Sequence, residues 1–434
     1  MPKPIHPLAQ ALNADLAAGG CVISSLLSRK GLRAFFPFQG ILGQSAEARQ
    51  TKINATIGTA FEEDGSPLCM ECLEGMVQAP PTAFLYAPSS GIPALREQWS
   101  AMLARKNPSL AGQMHSLPVV THALTHGLFL AGQLFLDPNE KLILPDLYWD
   151  NYELIFEESC GARLKTFKTF RGRHFNVKGL ERLVLAAGDK KVVLLNFPNN
   201  PTGYTATEAE ALAIRDVLLR AAQAGKRLVV ILDDAYFGLA YEKGVFRESL
   251  FALLANLHPN LLAVKLDGPT KEDYVWGLRV GFVTYGIKGG TAAHYKALEA
   301  KSAGVVRATI SSGSNLGQQM LVQAYAHPDY AVQKAAKFAT LEARYRRIRR
   351  ILREHPEYRE SFKAMPFNSG YFMCVKPLGV EAEPVRQRLL AGYQTGTIVL
   401  AGLLRLAFSS VPLEQLDILF ANLHDAIRKL KAAP

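Results

Sequence analysis

A chain of 434 residues exceeds the roughly 250–300 at which one hydrophobic core stops growing, so two domains with a cleft between them are expected. Apolar residues make up 49% and charged residues 20%, which excludes a disordered or fibrous protein. The net charge of +11 invites a nucleic-acid partner, but about half of that excess sits in one helical stretch with a plainer explanation.

From the N-terminus, the apolar stretch Leu8 to Leu27 is interrupted by Asn13 and Asp15 and lacks a charged leader, so neither export nor membrane insertion is expected. Cys21, Cys69, Cys72, Cys160 and Cys374 form an odd, sparse set, which argues for a reducing, cytoplasmic compartment rather than a disulfide framework. Cys69 and Cys72 make a lone Cys-x-x-Cys with no second ligand pair, so they read as ordinary thiols. The Pro-rich stretch Ala79 to Pro88 marks an irregular crossing into the larger domain.

Between about residues 115 and 285, short apolar runs alternate with segments of helical period. The runs are Leu117–Val120, Lys141–Leu144, Val192–Asn196, Leu228–Asp233, Leu261–Leu266 and Arg279–Tyr285. That alternation predicts an α/β domain with a mostly parallel sheet, which binds ligands at the carboxyl ends of its strands. Thr205, three residues before Glu208, reads as a capping box for a helix that stops at Gly225. His122 and His126 are four residues apart, yet no carboxylate follows the first, so no metal is assigned to them.

Three strand ends carry unusual polar residues. The loop Asn196-Phe-Pro-Asn-Asn-Pro-Thr-Gly203 can point amides at a ligand. In Ile231-Leu-Asp-Asp-Ala-Tyr-Phe237 a carboxylate ends a wholly apolar strand, which is costly unless it meets a cation. Alternation along the strand sends Asp233 and Asp234 to opposite faces, so only one can enter a site. In Leu266-Asp-Gly-Pro-Thr-Lys271, a lysine just beyond a buried strand can lose its proton on desolvation and attack aldehydes. Arg279, eight residues on, supplies a fixed cation suited to phosphate.

Further along, Lys334 to Glu354 holds eight basic residues against two acidic ones, a balance of +6. Phe338, Leu341, Tyr345, Ile348 and Leu352 recur at helical spacing through it, so the basic residues are expected on the solvated back of an amphipathic helix. No nucleic-acid module accompanies them. Arg405, inside the apolar strand-like Leu403 to Phe408, is a costly buried charge that must find a carboxylate, either of a ligand or of a structural ion pair.

In their order and spacing, strand-Asn-Pro-Thr-Gly, strand-Asp-x-Ala-Tyr and strand-x-Thr-Lys with Arg eight later resemble the fold type I pyridoxal-phosphate (PLP) enzymes, specifically the class I/II aminotransferases of aspartate aminotransferase type. The resemblance covers about residues 50 to 410. It implies a three-layer α/β large domain over residues 62–309 and a smaller α+β domain built from residues 1–61 and 310–434. It implies transfer of an amino group from an L-amino acid to a 2-oxo acid in two half-reactions, with pyridoxal 5′-phosphate as cofactor.

By the same resemblance, Lys271 is the cofactor-bonding lysine and proton shuttle, and Asp233 the partner of the pyridine nitrogen. Asn200 and Tyr236 match the pair that hydrogen-bonds the phenolic oxygen. Thr270 and Arg279 match phosphate contacts. Ala123, Leu124 and Thr125 occupy a helix start where the family has glycines that bind phosphate through backbone amides. Trp149, with Tyr148 as alternative, resembles the aromatic that stacks on the ring. Tyr86 resembles a tyrosine that reaches the neighbouring subunit's phosphate, which implies a homodimer with shared sites. Arg405 resembles the arginine that grips the substrate α-carboxylate, with Gly58 and Phe372 lining the same pocket. Arg307 resembles one lent across the dimer to a side-chain carboxylate, which favours dicarboxylic or aromatic donors. One position departs from the pattern: Gly268 stands where the family often has a serine on the phosphate.

The same residues also suit a C–S lyase or a decarboxylase, because fold does not fix chemistry. A PLP-sensing regulator would need a DNA-binding domain larger than the roughly 50 residues before the resemblance begins.

Overall fold

The computed structural model describes residues 4–17, 27, 31–33, 40–74 and 79–432. Of the cysteines, Cys21 lies outside the described residues, as do residues 18–26 of the apolar stretch that ends at Leu27.

Seven strands form the main sheet: β1 (Val119–Thr121), β2 (Lys141–Pro145), β3 (Arg163–Phe167), β4 (Lys190–Asn196), β5 (Arg227–Asp233), β6 (Leu261–Asp267) and β7 (Gly281–Ile287). Their spatial order is β1-β7-β6-β5-β4-β2-β3. The pairs from β6 through β3 are parallel, whereas β7 runs antiparallel to both neighbours, β6 and β1. Each of the six expected runs forms a strand, and their apolar side chains divide between the two faces with period two. Val193, Leu195, Val230 and Leu232 pack in one core and Val192, Leu194, Ile231 and Val264 in another, which yields three layers.

Among the helices that position the site are α1 (Pro93–Lys106), α2 (Ala123–Phe135) and α3 (Glu208–Gln223). The capping box of α3 is formed by Thr207 and Glu210, two residues later than the Thr205 and Glu208 expected from sequence. Thr205 instead hydrogen-bonds Asn368 and Ser369 across the fold, a tertiary use that no local pattern discloses.

After α4 (Ala292–Thr309) and the helix Asn315–Ala326 comes the long α5 (Tyr330–Glu354), then an antiparallel four-stranded sheet. Its strands β8 (Phe362–Ala364), β9 (Phe372–Pro377), β10 (Ile398–Leu400) and β11 (Leu403–Ala407) lie in the order β8-β9-β11-β10. The expected apolar stripe of α5 faces the core: Leu341, Tyr345 and Ile348 are buried, with Phe338 and Leu352 packed against them. Its basic residues are not all on the solvated back, which corrects the amphipathic reading. Arg344 is fully buried and donates to the carbonyls of Phe61 and Ser409 and to Glu63, while Lys334 turns inward to Glu272 and Asp273. Among the described residues no helix is long and apolar enough to cross a membrane.

Candidate active site

The carboxyl ends of β4, β5 and β6, the start of α2 and the four-stranded sheet converge on a cavity of about 410 Å³. Thirteen of the residues singled out from sequence line it: Gly58, Ala123, Leu124, Thr125, Trp149, Asn200, Asp233, Tyr236, Thr270, Lys271, Arg279, Phe372 and Arg405. Tyr86 and Arg307 do not. Tyr86 is 94% exposed, and Arg307, exposed on α4, bonds Ser311. Trp149 reaches the cavity, whereas Tyr148 hydrogen-bonds Glu153 away from it.

Asp233 ends β5 opposite Asn196, whose side-chain amide donates to the Asp233 carbonyl at 2.7 Å. Its carboxylate is buried and accepts from the Tyr152 hydroxyl at 2.5 Å and from the backbone of Ala235 at 3.1 Å. Burial raises its pKa, against the Tyr152 bond and the Lys271 charge, which lower it. As alternation requires, Asp234 faces the other way and meets Ser249 and Lys265.

Lys271 follows β6 on the short helix Pro269–Glu272, with Nζ 5.2 Å from the centre of the Tyr236 ring. Its main chain is held by the Tyr371 hydroxyl, which donates to the Lys271 carbonyl at 2.9 Å. Burial pulls the amine down from 10.5 to about 8; Asp233 opposes that shift and Arg279 adds to it. Near neutrality a useful fraction of this lysine is therefore the nucleophilic free base.

Three cations, Lys271, Arg279 and Arg405, thus face one carboxylate in the cavity wall. Arg405 is buried; it donates to Asn200 and the Thr56 carbonyl at 3.0 Å each and lies 4.3 Å from the Phe372 ring centre. Its hydrogen-bond partners among the described residues are neutral; the Asp150 charge acts on it without forming an ion pair, so the structural ion pair considered from sequence does not form among the described residues. Its Nε and the Trp276 indole N–H are buried without an acceptor, two donors open to an anionic ligand.

Arg279 sits in a left-handed turn, φ 54°, two residues before β7 rather than at its start, with burial lowering its pKa. Nearby, α2 presents its first backbone amides, a ready anion site. Ala123 takes φ 58°, the left-handed conformation that glycine adopts at least cost, so the helix start keeps a glycine-type shape at some strain. At Gly268 an added Cβ would stand 2.8 Å from the Gly281 Cα, so the close approach of β7 leaves no room for a side chain. His126 is engaged by the His122 backbone and by Thr309 at 2.8 Å.

Sequence reasoning missed Tyr152, Asn196, Trp276 and Tyr371 as site residues. Asn196 opens the polar loop that ends at Gly203 and Tyr152 follows Trp149 by three residues, but neither stands out from its neighbours in the sequence. Tyr371 acts from another sheet and left no local signal.

Residues 52–423 match the model of the family described as aminotransferase class I and II. An aspartate aminotransferase of Geobacillus stearothermophilus is 26% identical over 57% of this chain and 58% of its own length. One from Bacillus subtilis is 27% identical over 45% of this chain and 47% of its own, so the chain spans about half the length of these relatives. In fold the chain is similar to an aminotransferase from Anaerococcus prevotii, with a TM-score of 0.82 at 22% identity over 93% of this chain and 99% of the other. It is also similar to the cytoplasmic aspartate aminotransferase of Saccharomyces cerevisiae, with a TM-score of 0.75 at 17% identity over 94% and 99%. With a family match over most of its length and a cavity built at the carboxyl ends of a mostly parallel sheet, the chain belongs to the class I and II aminotransferase family.

Proposed function

We propose that this chain transfers amino groups between an amino acid and a 2-oxo acid, with pyridoxal 5′-phosphate held at Lys271. The observation that carries the reading is the charge imbalance of the cavity: a lysine titrating near 8 and two arginines without ion pairs face a single buried carboxylate. A phosphate and a substrate carboxylate are the anions that such a wall accommodates.

The residues present fit the cofactor. The α2 amides of Leu124 and Thr125, the Thr270 hydroxyl and Arg279 would hold the phosphate. Asp233, kept in place by Tyr152 and Ala235, would hold a proton on the pyridine nitrogen, and Trp149 would cover the ring face. Asn200 and Tyr236 would meet the phenolic oxygen. Bound in this way, the cofactor supplies an electron sink for the substrate's α-carbon. The free Lys271 amine would take the proton from that carbon and return it at the neighbouring position, a shuttle that needs a base of pKa near the working pH. Arg405 would grip the α-carboxylate through both half-reactions, with Gly58 and Phe372 shaping the pocket beside it.

The cavity between the seven-stranded and four-stranded sheets supports a division into a large unit, 62–309, and a small one, 1–61 with 310–434. Phe84, Leu85 and Tyr86 are 85%, 66% and 94% exposed in one short segment, which supports a homodimer that covers them. In that dimer Tyr86 and Arg307 would serve the partner's site. The relatives named aspartate aminotransferase support a dicarboxylic donor.

Borohydride reduction followed by peptide mapping tests the assignment, with the cofactor expected on the Lys271 peptide. Its absence there would refute the proposal. In single-turnover spectra an amino acid should convert the bound aldehyde to the amine and a 2-oxo acid should restore it; a lyase or decarboxylase would not complete that cycle. An amino-donor panel on wild type and Arg307→Ala tests the substrate class: unchanged aspartate and glutamate turnover would remove Arg307 from it.

A further inference from the structure

A second cavity, of about 540 Å³, shares no lining residue with the first. It lies where the C-terminal end of α5, the turn Pro356–Glu360 and strand β8 meet the hairpin formed by Phe170–Arg171 and His174–Phe175. Its floor is apolar, built from Tyr358, Phe362 and Phe367 with Leu352 and Met365. Around that floor stand Arg173, Arg349, Arg353, Arg359 and Lys363, and no carboxylate lines the cavity.

Four of these five cations are not consumed by the fold; Arg349 is the one that is paired. Arg349 lies 3.4 Å from Glu242 and 5.6 Å from the Phe367 ring centre. The side chains of Arg173, Arg353, Arg359 and Lys363 form no ion pair, hydrogen bond or ring contact among the described residues. His355 bonds Glu357 and stacks on Tyr358 at 4.8 Å, with His424 5.0 Å from the same ring, so Tyr358 is held fixed in the floor. Of the other basic residues of α5, Lys334, Lys337, Arg344, Arg346 and Arg347 each have a carboxylate partner, and Arg350 alone has none among the described residues.

Like charges gathered around one concave apolar surface repel one another until a polyanion joins them. Guanidinium groups fork onto phosphate oxygens, and the volume is that of an ordinary small-molecule site. We propose that this cavity binds a phosphorylated small molecule bearing a flat ring, a nucleoside polyphosphate in class. Its phosphates meet the arginines and its ring the Tyr358–Phe362–Phe367 floor. Since Arg173 comes from the separate two-stranded hairpin that follows β3 and the other cations from α5, the turn Pro356–Glu360 and β8, the ligand ties these segments together.

Calorimetric titration of the full chain, saturated with pyridoxal phosphate, tests this with ATP, inorganic triphosphate and a single-stranded RNA 12-mer as probes. One ATP per chain is expected, bound at least fivefold more tightly than triphosphate and raising the melting temperature through linkage. The exposed double variant Arg353→Glu/Arg359→Glu should weaken ATP at least tenfold, whereas Lys296→Glu/Lys301→Glu, the same charge change at exposed positions of α4, should leave it within twofold. Circular dichroism without ATP confirms that both variants are folded. Absence of saturable ATP binding, or an equal loss in Lys296→Glu/Lys301→Glu, overturns the site. Triphosphate binding as tightly as ATP overturns the ring-binding floor, and RNA binding more tightly than ATP assigns the surface to nucleic acid instead.

Discussion

Lys271 and Glu272 are neighbours in the chain, yet they belong to opposite kinds of electrostatic region. Behind the segment, Glu272 meets Lys106 at 2.9 Å and Lys334 at 2.8 Å, Asp273 meets Lys334 and two tyrosines, and Lys265 joins Asp234 to Asp267. Three lysines there face four carboxylates. Burial alone would raise the Glu272 carboxyl, but Lys106 and Lys334 hold it well below the usual range. In front, three cations face one carboxylate and no ion pair closes among the described residues. The first region is a paired network whose charges serve the fold; in the second, unpaired charge is held against its own desolvation cost, the arrangement that the proposed anion site requires.

The sharpest way to break this comparison is to remove a charge from each side. Lys271→Met should reduce amino transfer by at least about 10³-fold, since nucleophile and proton shuttle go together. It should leave the urea midpoint unchanged or higher at neutral pH, because an unpaired cation leaves a cavity wall. Lys334→Met should do the reverse to stability: two buried carboxylates lose a partner, a change that typically costs about 3–5 kcal/mol. Equal urea midpoints for the two variants would erase the distinction between the regions.

Arg405→Lys keeps the charge but loses the fork, and a fall of about 10²-fold in kcat/KM is expected, weighted toward KM if the residue binds substrate and product alike. The pH dependence sharpens the picture. The folded pKa of Lys271, about 8, lies below its unfolded value of 10.5, so between these limits the unfolded chain holds more protons. Stability should therefore rise with pH through that window relative to Lys271→Met, by some fraction of about 1.4 kcal/mol per unit. A wild-type-minus-variant difference that is flat from pH 8 to 10 would contradict the lowered pKa. The smallest effect concerns Ala123. Ala123→Gly relieves its left-handed φ and should raise stability by no more than about 1 kcal/mol in a urea melt; a loss would mean that the strain is not real.

How much of this was legible beforehand follows the range of the interaction. Asp233 was visible because a carboxylate ending a run of aliphatic residues is costly in any fold. Lys271 and Arg279 were visible from their place after a buried strand and their spacing. Tyr371 was not, since its bond to the Lys271 carbonyl spans 100 residues. Arg344 was placed on the wrong face because its partners, Phe61, Glu63 and Ser409, are remote in sequence and nothing local distinguishes it from Arg346. Thr205 was misread for the same reason: its long-range bonds to Asn368 and Ser369 displaced it from the cap.

What the sequence by itself determined was the order and type of the elements and the identity of the chemistry-bearing residues at their ends. Periodicity and the cost of burying charge act within a few residues of the chain. Which charges pair, and which are left facing a cavity, was decided only by the tertiary structure, because pairing depends on distances between segments that no local pattern encodes.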